Sequence, residues 1–129
     1  MVVVLIVGIL AAVAVPMMSG RVDQAKWSEA NAAAGMIRSQ VRVLYSQDPN
    51  AAVALVGNSL DDGTTQTALG FGSGDLSGTY FESDDYTITS VSQAAGSEGL
   101  AAVTVTGGSK SDSPTGSYVL GADGSWTKQ

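Results

Sequence analysis

The chain opens MVVVLIVGILAAVAVPMM, eighteen residues from Met1 to Met18 without a charged side chain, and this run constrains the fold more than anything after it. As a helix it reaches about 27 Å, close to the ~30 Å hydrocarbon layer of a bilayer. The rest of the chain, about 110 residues, makes one small core and cannot wrap such a helix on every side. The run therefore has to meet lipid or other copies of itself. A cleaved secretory signal fits less well, because no basic stretch precedes the apolar residues and helical patterning continues straight after them.

After Gly20 the apolar residues become one-sided. Trp27, Ala30, Ala34, Ile37, Val41 and Leu44 recur at steps of three and four, drawing one stripe along a helix, while Lys26, Ser28, Glu29, Arg38, Ser39 and Arg42 fall on the other face. The pattern predicts that the helix continues to about Ser46, where SQDPN ends it, since Pro49 has no N–H to give and restricts the residue before it. Gly8 and Pro16 bracket a weak segment in the first half, Pro16 costing about 3 kcal/mol in an ordinary helix interior.

From Asp48 to Gly78 the clusters DPN, GNS, DDG and GFGSGDLSG predict loop, pinned to a core only by AAVALV and TTQTALGF. Beyond Gly78 the period shortens to two: TYFESDDYTITSVS, LAAVTVTG and GSYVLG read as strands, and GADGSWTKQ adds a turn and a last short one. In that hairpin Gly121 and Gly124 are expected to supply positive backbone angles. The expected fold is thus α+β. A long N-terminal helix, apolar in its first half and amphipathic in its second, packs on an antiparallel sheet of three or four strands. The expected divisions are an apolar membrane or filament-core helix over 1–20 and a globular domain over 21–129. That domain comprises the second half of the helix (21–46), a loop region (47–78) and the sheet (79–129).

Charge and composition exclude several functions. The net charge is +2 up to Ser46 and −8 from Gln47 onward, so the outer domain is acidic and lacks the cationic footprint of a nucleic-acid binder. Cysteine and histidine are both absent, which removes disulfides, thiolate chemistry and the commonest general base and metal ligand. The chain reads as a non-enzyme without a cofactor or metal site. Asp61 and Asp62, or Glu82, Asp84 and Asp85, carry oxygen ligands, but nothing in the sequence makes them converge as calcium requires. GFGSGDLSG has the glycine density of a phosphate loop without its lysine, and Ser111, Ser113 and Thr115 around Pro114 read as an exposed loop open to glycans.

The stretch MVVVLIVGILAAVAVP, Met1 to Pro16, resembles the segment that type IV pilins and pseudopilins carry just inside their processed N-terminus. DLSGTYFESDDYTI, Asp75 to Ile88, is more weakly similar to the entry into the sheet of some bacterial pilins. Those proteins carry an acidic residue and a short basic leader just before the point where this sequence starts, so the resemblance implies either that residues precede Met1 or that this protein dispenses with the processing site. The C-terminal cysteine pair of many pilins is missing, which leaves Val119, Leu120 and Trp126 to hold the end of the sheet by packing.

The resemblance implies a structural subunit of an extracellular type IV pilus, with adhesion, motility or DNA uptake as downstream roles. The alternatives are a pseudopilin of a type II secretion system, or a single-span membrane protein whose outer domain binds a ligand without polymerising. The implied partners are identical subunits in a helical filament, the inner membrane before assembly, the pilus assembly machinery and a prepilin peptidase. Met1, Val4, Leu5, Gly8, Ile9, Ala11, Ala12, Val15 and Pro16 are the expected assembly residues, the small ones allowing close helix approach. Trp27, Ala34, Ile37, Val41 and Leu44 are the expected helix side of the core. The resemblance also implies that the helix loses regular hydrogen bonding between Gly8 and Pro16 in the filament.

Overall fold

The computed structural model describes residues 2–72, 74–108, 110–111 and 113–129; over 10–22 it describes the helical backbone without the side chains. Helix α1 is Val2–Gln47. The expected fold class needs correction, because it makes one long half-apolar, half-amphipathic N-terminal helix the partner of the sheet. The packed helix is the 25-residue stretch that starts at Asp23, and the N-terminal helix with described side chains is short, residues 2–9. The reason lies in the sequence pattern. Steps of three and four begin only at Trp27, whereas every side chain over 2–9 is exposed and touches no sheet.

Two short helices replace the expected loop over 47–78, and a 3-10 turn occupies the start of the expected first strand, which begins only at Tyr86. Pro49 stops α1 and, needing no partner for a missing N–H, starts α2 (Pro49–Val53); Asp48 caps it, accepting from the N–H groups of Asn50 and Ala51 at 3.0 and 3.2 Å. Helix α3 (Gly63–Leu69) starts at Asp62, whose carboxylate accepts from the Thr65 N–H, and ends at Gly70 in the left-handed region. The DDG cluster is a helix cap here. Its three β-branched threonines gave α3 a poor helical propensity, and capping together with burial of Leu69 outweighs that. The 3-10 turn Ser83–Asp85 leads into the sheet.

The sheet is antiparallel, in the order β1 (Tyr86–Val91), β2 (Ala101–Thr106), β3 (Ser117–Leu120) and β4 (Trp126–Lys128). A bulge at Thr89 shifts the β1–β2 register, so the inward face passes from Tyr86 and Ile88 to Val91 rather than to Ser90. The free side of β1 is covered by the segment after α2. Gly57 and Leu60 donate to the carbonyls of Ile88 and Tyr86, and Ile88 donates to Asn58. In the last hairpin only Gly124 takes a positive φ, against the expectation for Gly121. A Cβ at Gly121 would lie 2.6 Å from Asp123 Oδ1 and 2.9 Å from Ser125 Oγ, so those two side chains would have to shift to admit one.

The core lies between α1, which crosses chiefly β2, and the inner face of the sheet. Ala30, Ala33 and Ala34 bring the helix backbone close, and Ile37 and Val41 fill the space toward Ile88, Val103 and Val105. Leu55, Leu60, Leu69, Leu76 and Phe81 close one side from the loop-rich region. A chain of ring contacts runs from Tyr86 through Phe81, Trp27 and Tyr118 to Trp126, with centroids 4.5–6.5 Å apart. Full burial of each large apolar side chain contributes about 1.5–3 kcal/mol.

Candidate assembly surface

Val2, Val3, Val4, Leu5, Ile6, Val7 and Ile9 are each 52–76% exposed, on a helical stretch with no polar side chain. Of the expected assembly residues, Val4, Leu5 and Ile9 lie on this surface, and Gly8 leaves open space where a Cβ would point. Met1 lies outside the described residues, as do the side chains of Ala11, Ala12, Val15 and Pro16; the backbone between Gly8 and Pro16 is helical in the single chain. Helical runs favour Val and Ile only when packing rewards them, because β-branching costs rotamer freedom in a helix. Seven large apolar side chains without cover exceed what a monomer in water ordinarily exposes as one patch. Among the described residues, no helix is long and apolar enough to cross a membrane.

The expected core residues occupy a different place. Trp27 is 8% exposed, Ala34, Ile37 and Val41 are fully buried, and Leu44 packs partly buried against the same cluster. These residues hold the domain together. Arg38 and Glu29, expected on the outer face, both reach back to the domain. Arg38 Nη2 donates to the carbonyl of Ala122, and the Tyr80 N–H donates to Glu29 Oε1 at 3.2 Å. Leu55 and Leu69 belong to the AAVALV and TTQTALGF runs expected to pin the loop to the core, whereas Leu60, Leu76 and Phe81 stand as isolated apolar residues among turn formers, with no period to reveal them.

Several of the acidic residues are structural. The hydroxyl and N–H of Thr65 hold the Asp62 carboxyl below its ordinary range, and the hydroxyl and N–H of Ser125 do the same for Asp123. Asp85 Oδ2 accepts from the Glu82 N–H at 2.9 Å. Among the described residues no three carboxylates are grouped as a metal site. Within the glycine-rich stretch, the Gly72 N–H donates to Asp75 Oδ2 at 2.6 Å and Gly74 takes a positive φ, so the stretch is a side-chain-closed turn. In the loop expected to be free for glycans, Ser113 Oγ accepts from the Gly108 N–H at 2.9 Å and Pro114 is buried. Burial, with Glu29 and Asp85 nearby, pushes the Tyr86 hydroxyl well above its ordinary pKa, so it is a neutral core group.

No family model, no curated protein and no solved structure matches this chain.

Proposed function

We propose that this chain is a structural filament subunit of the type IV pilin kind, assembling with identical copies through its apolar N-terminal stretch. The observation that carries the reading is the uncovered surface Val2–Ile9 beside a domain whose core is complete without it. Burial at about 25 cal/mol per Å² makes lipid, or the same surface of another copy, far better surroundings than water for these side chains. The subunit is held in the inner membrane before assembly and exported into a surface filament afterwards. Repetition of one head-to-tail contact that does not close into a ring gives an open helical polymer.

Removal of detergent from the purified full chain, followed by electron microscopy and sedimentation, tests the proposal. Filaments are expected from the full chain and a monomer from a chain beginning at Arg21. A full chain that stays monomeric as detergent is withdrawn, or a shortened chain that polymerises equally well, overturns it. Filaments longer than the cell envelope is thick distinguish a pilus from a short secretion pseudopilus.

A further inference from the structure

A second surface lies on the domain itself, in a groove of about 230 Å³ between α1 and the β3–β4 hairpin. Its aromatic wall is rigid. Tyr118 and Trp126 stack with centroids 4.9 Å apart and planes 10° from parallel, and Trp27 packs 4.5 Å from Tyr118 and 6.3 Å from Trp126. Facing them, Gln24, Ser28 and Asn31 stand at steps of four and three along α1 and so share one edge of the helix. The Ser28 hydroxyl donates to the Gln24 carbonyl at 3.0 Å, keeping its lone pairs for a donor. The side-chain amides of Gln24 and Asn31 and the indole N–H of Trp27 make no hydrogen bond among the described residues.

We propose that this groove binds a neutral saccharide. A pyranose ring has an apolar C–H face that suits the electron-rich face of an aromatic ring, and hydroxyls around its edge that both donate and accept. Each amide offers both functions as well. Among the described residues no charged side chain lines the groove, so an ionic ligand would lose its hydration there without gaining a counter-charge from them. A purely apolar ligand would leave the two amides unpaired as water is displaced. The volume falls below the roughly 300–1,000 Å³ of sites for drug-sized ligands, which limits the occupant to one or two sugar rings. The site lies wholly on the domain after Asp23 and does not rest on the filament reading.

The two tryptophans of the chain, Trp27 and Trp126, both line the groove, so intrinsic emission reports directly on its occupancy. The full chain, in a detergent without a sugar headgroup, is titrated with cellobiose, lactose and di-N-acetylchitobiose. A saturable change in emission is expected with at least one of them, with a dissociation constant on the order of 1 mM. Gln24→Ala and Asn31→Ala alter exposed side chains that have no hydrogen-bond partner among the described residues. Each should weaken binding about tenfold while leaving the melting temperature unmoved. Absence of a saturable change with all three sugars overturns the proposal, as does undiminished binding by the double variant. An emission change that follows protein concentration alone would assign the groove to contact between copies and overturn it too.

Discussion

Arg38 Nη2 donates to the carbonyl oxygen of Ala122, joining the C-terminal part of helix α1 to the turn between β3 and β4 across 84 positions of sequence. The hairpin is otherwise held by a three-residue edge strand and the packing of Trp126. A charge-assisted hydrogen bond of this sort contributes about 1.5–3 kcal/mol. Arg38→Ala should lower the unfolding free energy by about that amount, and Arg38→Lys should recover only part, since the shorter point charge cannot reproduce the guanidinium's geometry. Chemical denaturation followed by Trp fluorescence reads both. A loss under about 0.5 kcal/mol for Arg38→Ala would show the contact to be idle.

Ile37 is fully buried at the centre of the helix–sheet contact, while its neighbour Met36 is 52% exposed. Ile37→Ala should cost about 2–5 kcal/mol and Ile37→Asp should prevent folding by burying a charge with no partner. Met36→Ala should stay within about 0.5 kcal/mol of the parent. Equal melting of the Ile37 and Met36 variants would reject the assigned helix face.

Gly107 sits where a Cβ would lie 1.9 Å from the carbonyl oxygen of Pro114, a backbone atom that cannot rotate away. The loop here closes by a 2.8 Å hydrogen bond from Gly107 to Gly116. Gly107→Ala should therefore displace the loop between β2 and β3 and destabilise the domain by about 1–3 kcal/mol. Hydrogen exchange should quicken at the Gly107 amide. Gly108→Ala does not meet this clash, although its positive φ of 108° makes it costly for a different reason.

The core stripe from Trp27 to Leu44 and the four short strands could be read from periodicity, because burial on one face writes itself into the sequence at steps of three and four or of two. Several features could not. Ala33 looks like any alanine of a helix, yet it is in the core. The Thr89 bulge changes which residues of β1 face inward, and the partner strand alone fixes that register. Helices α2 and α3 are too short to show a period, and their caps, Asp48 and Asp62, use the same residues that make turns. The apolar stretch and the amphipathic stripe after it are legible as separate patterns, but that the packed helix is the 25-residue stretch from Asp23 is a matter of contacts. Similarly, Trp27, Tyr118 and Trp126 are far apart in sequence, so nothing short of the folded chain brings the groove together.

Asp62 and Asp123 lie below the ordinary carboxyl value of 3.8, the larger cause being the hydroxyl of Thr65 for the first and of Ser125 for the second. Both acids hold their protons less tightly when folded. Their contribution is complete above the unfolded value and disappears as pH falls from about 4 through the lower folded values. Thermal melts between pH 7 and pH 2 should show stability falling in that acid window, with a shallower fall in Asp62→Asn. An unchanged acid slope in this variant would remove Asp62 from the account.

The segment 57–60 that lines β1 has a consequence for life in a crowd. A sheet edge with unpaired N–H and carbonyl groups is a template for any neighbouring strand, and the danger grows with local concentration. Domains arrayed side by side on a surface would meet constantly. Here Gly57, Asn58 and Leu60 already occupy the backbone positions of β1 that a neighbour's strand would need. At the opposite edge β4 offers three residues, ending in the charged Lys128. Neighbouring domains can therefore touch through side chains, and come apart again, without their sheets fusing into an irreversible ribbon.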